Sequence, residues 1–336
     1  ERLLKQGSAY RCFCSEEALE AKRISMRTQG RPYRYDGTCR RLDAAESDRR
    51  AAAGERFVVR VKKPADGMTY QDLLHGTIHK RDEDLDDIII MKGDGQPLYH
   101  LAVVCDDIAA GVTHVIRGDD HLDNTPKQMV IYQALGAKLP VYVHIPMILG
   151  SDKKRLSKRE GAENVLEYRD MGFLPDAVLN FLSLLGWSHP ESKEVLTKEE
   201  LVRSFSLDRV GTAAAVFDQT KLRFISGKHI HSKQPDDRAR LLAEYLKSRG
   251  ETPPAVPELS AMVGVNGERG DTFGDIADYV RFFWARPKSF DEAAFKKFLA
   301  GKEDLVEKIR CEFEALADFD GEAMEVFFRD FSERHQ

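Results

Sequence analysis

The sequence predicts an α/β fold, with a Rossmann-like parallel sheet in its first half and a mostly helical second half. Three observations carry this reading. Short apolar strands alternate with helices of ordinary length as far as residue 149. From about residue 163 nearly every segment has helical period. Finally, 336 residues are too many for one small core and imply two or three domains.

The elements follow in order. Glu1-Arg2-Leu3-Leu4 reads as the last turn of a helix already under way. No methionine opens the chain, and an apolar Phe327-Phe328 and Phe331 lie near its other end, so both termini read as cut. Residues 15–29 suit a helix: Ser15 can cap it, Glu16 and Glu17 favour its positive end, and Gly30-Arg31-Pro32 stops it. Residues 57–61 alternate around Arg60 as a strand, and residues 88–90 form a buried one. Residues 99–110 are helical, 113–117 a short strand, 124–135 a helix with Pro126 in its first turn, and 141–149 another strand. Helical periods at 175–185 and 236–246 then follow, and Pro253, Pro254 and Pro257 mark a joint near residue 255.

Composition narrows the function classes. With 51 Lys and Arg against 56 acids the net charge is −5, so any phosphate-binding surface must be local. No run approaches the roughly 18 apolar residues of a membrane span, and no secretory signal pattern opens the chain, so the cytoplasm is the expected compartment and no membrane partner is expected. Five cysteines, an odd number, argue against a disulfide framework. Cys105 and Cys311 sit in helices with no functional neighbour.

Two constellations could carry chemistry. The stretch Gly150-Ser151-Asp152-Lys153-Lys154-Arg155-Leu156-Ser157-Lys158-Arg159 follows a strand and packs five cations into seven positions around one serine. It reads either as a solvated basic loop or as a loop whose ammonium groups follow a moving polyphosphate. Cys12-Phe13-Cys14 followed by Cys39 after 24 intervening residues could place three thiolates on one ion, with a fourth ligand required; buried free cysteine is the alternative. The pairs Arg40-Arg41, Arg49-Arg50 and Lys62-Lys63 read as a solvated face or as phosphate contacts.

In its surroundings the basic loop resembles the Lys-Met-Ser-Lys-Ser signature of class I aminoacyl-tRNA synthetases, here Arg155-Leu156-Ser157-Lys158-Arg159. Gly161-Ala162, Gly172-Phe173-Leu174-Pro175, Asn180-Phe181-Leu182 and Leu185-Gly186-Trp187-Ser188-His189 are similar to the bacterial glutamyl type. So are residues 113–121 (THVIRGDDH) with Asn124-Thr125-Pro126, and Phe217-Asp218-Gln219-Thr220-Lys221-Leu222. The similarity is most specific between Gln96 and Lys228 and fades past Arg286 into helical character.

The resemblance implies a set of roles. Tyr99 and Arg117 would hold the substrate glutamate, with an ordinary ion pair from Arg117 to Asp119 or Asp120 as the alternative. Asp120 would accept from the ATP ribose and His121 would lie beside the adenosine. Backbone groups at Met147 and Ile148 would read the adenine, their side chains belonging to the core. Ser157 and Lys158 would contact ATP, and Lys158 would stabilise the leaving phosphates with Lys154 and Arg159 in support. Mg²⁺ would accompany ATP. Tyr35 would join Cys12, Cys14 and Cys39 around a structural Zn²⁺, as in zinc-bearing bacterial glutamyl enzymes; Arg41 stands where some members have a further histidine. The implied architecture is an inserted acceptor-binding domain at 1–97, the second half of the catalytic domain at 98–150, a stem-contact region at 151–232 and an anticodon-side helical domain at 233–336. The implied partners are tRNA-Glu, L-glutamate and ATP, for a monomer. The family's His-Ile-Gly-His segment is not among these residues. A short paralogue that glutamylates a modified tRNA base and an inert tRNA-binding fragment are the competing expectations.

Overall fold

The computed structural model describes residues 1–154, 164–287, 289, 291–316 and 321–335. The first part contains α1 (Arg2–Lys5), β1 (Ala9–Cys12), α2 (Glu16–Thr28), α3 (Ala44–Ala52), β2 (Val58–Val61), β3 (Met68–Asp72), β4 (Gly76–Lys80) and β5 (Ile89–Met91). Next come α4 (Tyr99–Ala110), β6 (His114–Gly118), α5 (Thr125–Leu135), β7 (Val141–Ile145) and β8 (Ile148–Leu149). The remainder is α6 (Val165–Asp170), α7 (Pro175–Ser183), α8 (Lys198–Ser204), β9 (Ala215–Val216), α9 (Gln219–His231), α10 (Pro235–Ser248), α11 (Val256–Asn266), α12 (Phe273–Val280), α13 (Glu292–Phe298), α14 (Glu303–Glu314) and α15 (Gly321–Arg334). Local chemistry sets several boundaries: Ser15 accepts from the Ala18 N–H at the start of α2, and Asp218 caps α9 through Thr220 and Lys221.

The strands form three sheets. One is antiparallel, β1-β2-β5; a second runs β4-β3-β7-β6; the third pairs β8 with β9. Within the second sheet β3, β7 and β6 are parallel and β4 is an antiparallel edge. The sheet is therefore mixed rather than purely parallel. Its β3–β4 hairpin was not foreseen, because only Met68, Tyr70 and Ile78 mark its apolar face and Asp72 sets a carboxylate at an inward position. The strand expected over 141–149 is interrupted at Pro146, which has no N–H to give a ladder. Beyond it, β8 leaves the sheet to pair with β9.

Two apolar clusters organise the chain. Val61, Tyr70, Ile90, Val104, Ile131 and Tyr142 belong to one core, so the first two sheets and helices α4 and α5 are packed together. Phe181, Leu222, Ile225, Leu242, Leu259 and Ile276 belong to the other, which draws on α7 and on α9 through α12. The prolines near residue 255 therefore turn a corner between α10 and α11 inside one core. Among the described residues, no helix is long and apolar enough to cross a membrane.

Candidate active site

The carboxyl ends of three neighbouring parallel strands converge. β3 ends at Asp72, and His144 and Arg117 stand one residue from the ends of β7 and β6. Register places Arg117 directly beside His144, and Asp72 beside Tyr142. The space beyond such strand ends is where an open α/β sheet receives ligands. Helix α5 begins just past β6 and brings Thr125 and Gln128, three residues apart, onto the same point.

Arg117 is held by this arrangement. It donates from Nε to His144 Nε2 at 3.1 Å, from Nη1 to Gln128 Oε1 at 2.9 Å and from Nη2 to Thr125 Oγ1 at 2.7 Å. A fourth contact, from Nη2 to the His121 carbonyl, is long at 3.5 Å. A guanidinium carries five N–H groups, so among the described residues one stays unassigned and another is weakly engaged. Those two are what Arg117 can offer a ligand.

Behind Arg117 the side chains of His144 and Asp72 are fully buried and 2.7 Å apart, Nδ1 to Oδ2. Asp72 Oδ2 also accepts from the His144 backbone at 3.1 Å, and Oδ1 accepts from Leu74 and His75. Burial pushes the Asp72 carboxyl up, but these hydrogen bonds, led by His144, outweigh it and hold the pKa below the usual value. Burial pushes the His144 imidazole down, and the Arg117 charge adds to that against the pull of Asp72. His144 is thus a neutral imidazole beside a carboxylate.

The other sequence-identified residues surround this centre. Tyr99 opens α4 and is 56% exposed, with its ring edge-on to His100 at 5.2 Å. Burial lowers the His100 pKa, and the charges of Lys127 and Arg117 lower it further, so the first turn of α4 lies within electrostatic reach of Arg117. Asp120 follows Gly118 in a 3-10 turn, Asp119–Asn124. A Cβ at Gly118 would meet Asp120 Oδ1 at 2.6 Å, so the carboxylate rests in the space that the glycine leaves. His121 lies 4.0 Å from Asp120 and accepts through Nδ1 from Asn124 Nδ2 at 2.9 Å. Met147 is half-buried and Ile148 is exposed, so neither side chain is the core residue expected, because β8 lies outside the sheet. Lys154 ends a tight turn beginning at Gly150 and faces Asp152 at 3.4 Å. Ser157, Lys158 and Arg159 lie outside the described residues.

Sequence reasoning gave no role to Asp72, Thr125, Gln128 or His144. The one available signal was a lone histidine inside an apolar strand (VYVHI), which more often marks a satisfied core residue.

The cysteine cluster is a separate construction at the end of β1. The Sγ atoms of Cys12, Cys14 and Cys39 all lie within 4.8 Å of one another. Cys14 and Cys39 are 3.6 Å apart, and Tyr35 Oη is 3.4 Å from both Cys12 and Cys14. A tetrahedral zinc with Zn–S near 2.3 Å and Zn–O near 2.0 Å requires S···S edges of about 3.8 Å and S···O edges of about 3.5 Å. The donor set fits. Buried Arg60 stacks over Tyr35 at 4.1 Å, and its charge offsets the excess negative charge of three thiolates. A hydrogen bond with Cys39 leads in pulling the Cys12 thiol down, and burial pushes Tyr35 well up.

A family model for the catalytic domain of class I tRNA synthetases (E and Q) matches residues 1–224, and one for an anticodon binding domain matches residues 237–336. The glutamate–tRNA ligase of Geobacter sulfurreducens is 44% identical over 98% of this chain and 70% of its own length. That of Geotalea uraniireducens is 43% identical over 99% and 70%. A crystal structure of a glutamate tRNA ligase from Elizabethkingia meningosepticum, in complex with its amino acid, superposes with TM-score 0.81 at 26% identity, over 99% of this chain and 71% of that one.

Burial lowers the pKa of His100, His144 and His229 below the ordinary 6.5. Between the folded pKa and about 6.5 such a histidine binds more protons unfolded than folded. Its contribution to stability is therefore complete above about pH 6.5 and is lost as pH falls through that window. Urea denaturation should give a midpoint that falls between about pH 7 and 5.5, less steeply in His144→Gln. A midpoint that stays flat or rises over that range contradicts the assignment.

Proposed function

The chain belongs to the class I tRNA synthetases for glutamate and glutamine, and we propose that it activates L-glutamate with ATP and transfers it to the 3′ end of tRNA-Glu for protein synthesis. The observation that carries this reading is Arg117, fixed at the strand ends with two N–H groups left for a ligand. A clamped guanidinium can donate but never accept. It suits the side-chain carboxylate of glutamate, whereas the amide of glutamine has one oxygen to accept with, would set its NH2 against the second N–H of a two-point contact, and brings no compensating charge. Tyr99, exposed at the first turn of α4, supplies a hydroxyl to the same substrate.

The reaction begins when the glutamate α-carboxylate attacks the α-phosphorus of ATP, breaking the bond to pyrophosphate. A terminal ribose hydroxyl of the tRNA then attacks the activated carbonyl and releases AMP. Both steps depend on positioning and charge stabilisation. Asp120 accepts from the ribose hydroxyls, His121 lies beside the adenosine, and the backbone at Met147 and Ile148 reads the ring. Ser157 and Lys158 hold the phosphates, Lys158 stabilises the departing pyrophosphate, and Lys154 and Arg159 add positive charge. Mg²⁺ enters with ATP. The region 1–97 meets the acceptor end and 151–232 the stem. The helices past residue 232 serve the anticodon side, and their extent favours this reading over the short paralogue. The enzyme works as a monomer in the cytoplasm, where tRNA is charged.

Cys12, Cys14, Tyr35 and Cys39 would hold one Zn²⁺ in a closed shell that braces the acceptor-binding region and takes no part in the reaction.

Glutamate-dependent ATP–pyrophosphate exchange by the full chain, with and without tRNA, tests the activity. Exchange should respond to L-glutamate and not L-glutamine. Lys158→Ala should slow activation by roughly 10²–10³ with far less change in ATP affinity. An unchanged rate removes Lys158 from the reaction. For the metal, elemental analysis of untagged protein should find about one zinc per chain, and chelation should loosen residues 1–97 before the rest. Negligible zinc with three freely titrating native thiols would contradict the site.

A further inference from the structure

We infer that Asp72 and His144 are positioning residues for the substrate carboxylate, acting through Arg117: the carboxylate fixes the tautomer of the imidazole, and the imidazole fixes the guanidinium. The inference rests on the proposed role of Arg117 and extends it to two buried residues outside the family motifs read from the sequence.

The hydrogen-bond directions leave little choice. Asp72 Oδ2 can only accept, so the 2.7 Å contact places the His144 proton on Nδ1. A neutral imidazole then presents a lone pair at Nε2, which takes the Arg117 Nε–H at 3.1 Å. The Thr125 hydroxyl accepts from Arg117 Nη2 and, 3.0 Å from His144 Nε2, donates to that lone pair. The opposite tautomer would set two N–H groups against each other and strip Asp72 of a donor. Protonation would place a second cation against Arg117, and the lowered pKa of His144 disfavours that too.

Gln128 supports the same conclusion. It is 3% exposed and keeps its carbonyl on Arg117, although its buried amide nitrogen then has no protein partner among the described residues. Leaving such a donor unmatched is unfavourable. Orienting Arg117 prevails over that cost.

Interposing a neutral ring also solves an electrostatic problem. A carboxylate bound directly to Arg117 would occupy its donors and repel an incoming carboxylate. With His144 between them, the negative charge of Asp72 offsets the half-buried guanidinium while its outer N–H groups stay available.

Asp72→Asn in the full chain is the direct test, because it keeps shape but turns one of the two acceptor oxygens into an NH2, which cannot then accept both from His144 and from the Leu74 and His75 N–H groups. The KM for glutamate should rise at least about tenfold, since small misplacement of a binding group is heavily penalised. The KM for ATP should change less than about threefold. In an Arg117→Ala background Asp72→Asn should add less than about twofold, because both changes act on one contact. ¹⁵N NMR of the His144 ring should report an Nδ1–H tautomer in the wild type and its loss in Asp72→Asn. If Asp72→Asn does not fold, Thr125→Val reads the same split between the two substrates. The inference is overturned if a folded variant leaves the KM for glutamate unchanged, or raises both KM values alike, while Arg117→Ala selectively weakens glutamate. If Arg117→Ala itself spares glutamate, the proposed role of Arg117 is what fails, and the two outcomes are distinguishable.

Discussion

The side-by-side register of Arg117 on β6 and His144 on β7 is the constraint on which the rest of the site depends. Parallel pairing puts both residues at the same height, one position from the strand ends, with side chains in direct contact. A slip of one residue in either strand would send one of them to the opposite face of the sheet and dissolve the contact. β3 adds Asp72 from the other side of β7, and α5 follows β6 closely enough to add Thr125 and Gln128. Three strands and one helix start thereby converge on one guanidinium. Its geometry is a property of the sheet rather than of a loop, which is what a selective binding group requires.

A shared core ties the region carrying the cysteine cluster to the sheet that carries Arg117 and His144. Met68 and Tyr70 of β3 share a core with Val104 of α4 and Ile131 of α5, and Val59 and Val61 of β2 share it too. β2 also carries Arg60, which stacks on Tyr35 beside the thiols. Val59 and Val61 of β2 therefore serve the sheet core, while Val58 and Arg60 on its other face serve the cluster. A metal closing that cluster would stiffen a strand already anchored under the site.

Much of this was legible in the sequence. The bounds of α4 match the helical period of residues 99–110, Ser15 caps α2 as its position implied, and the glutamyl-type motifs led to the family that the comparisons support. The spacing of Cys12, Cys14 and Cys39 pointed to a cluster that the geometry brings together. The β3–β4 hairpin was missed because only Met68, Tyr70 and Ile78 mark its apolar face. Asp72 and His144 were missed because they are 72 residues apart and each looks ordinary alone. Only the order β4-β3-β7-β6 makes them neighbours, and that order is a tertiary fact.

A crystal structure of the full chain with bound L-glutamate tests the central claim most directly. The account predicts the side-chain carboxylate within hydrogen-bond distance of the Arg117 Nη atoms, with the bonds from Arg117 to His144 and Thr125 retained and the His121 carbonyl contact released. A carboxylate bound away from Arg117, or bound only after Arg117 has left His144, would contradict it.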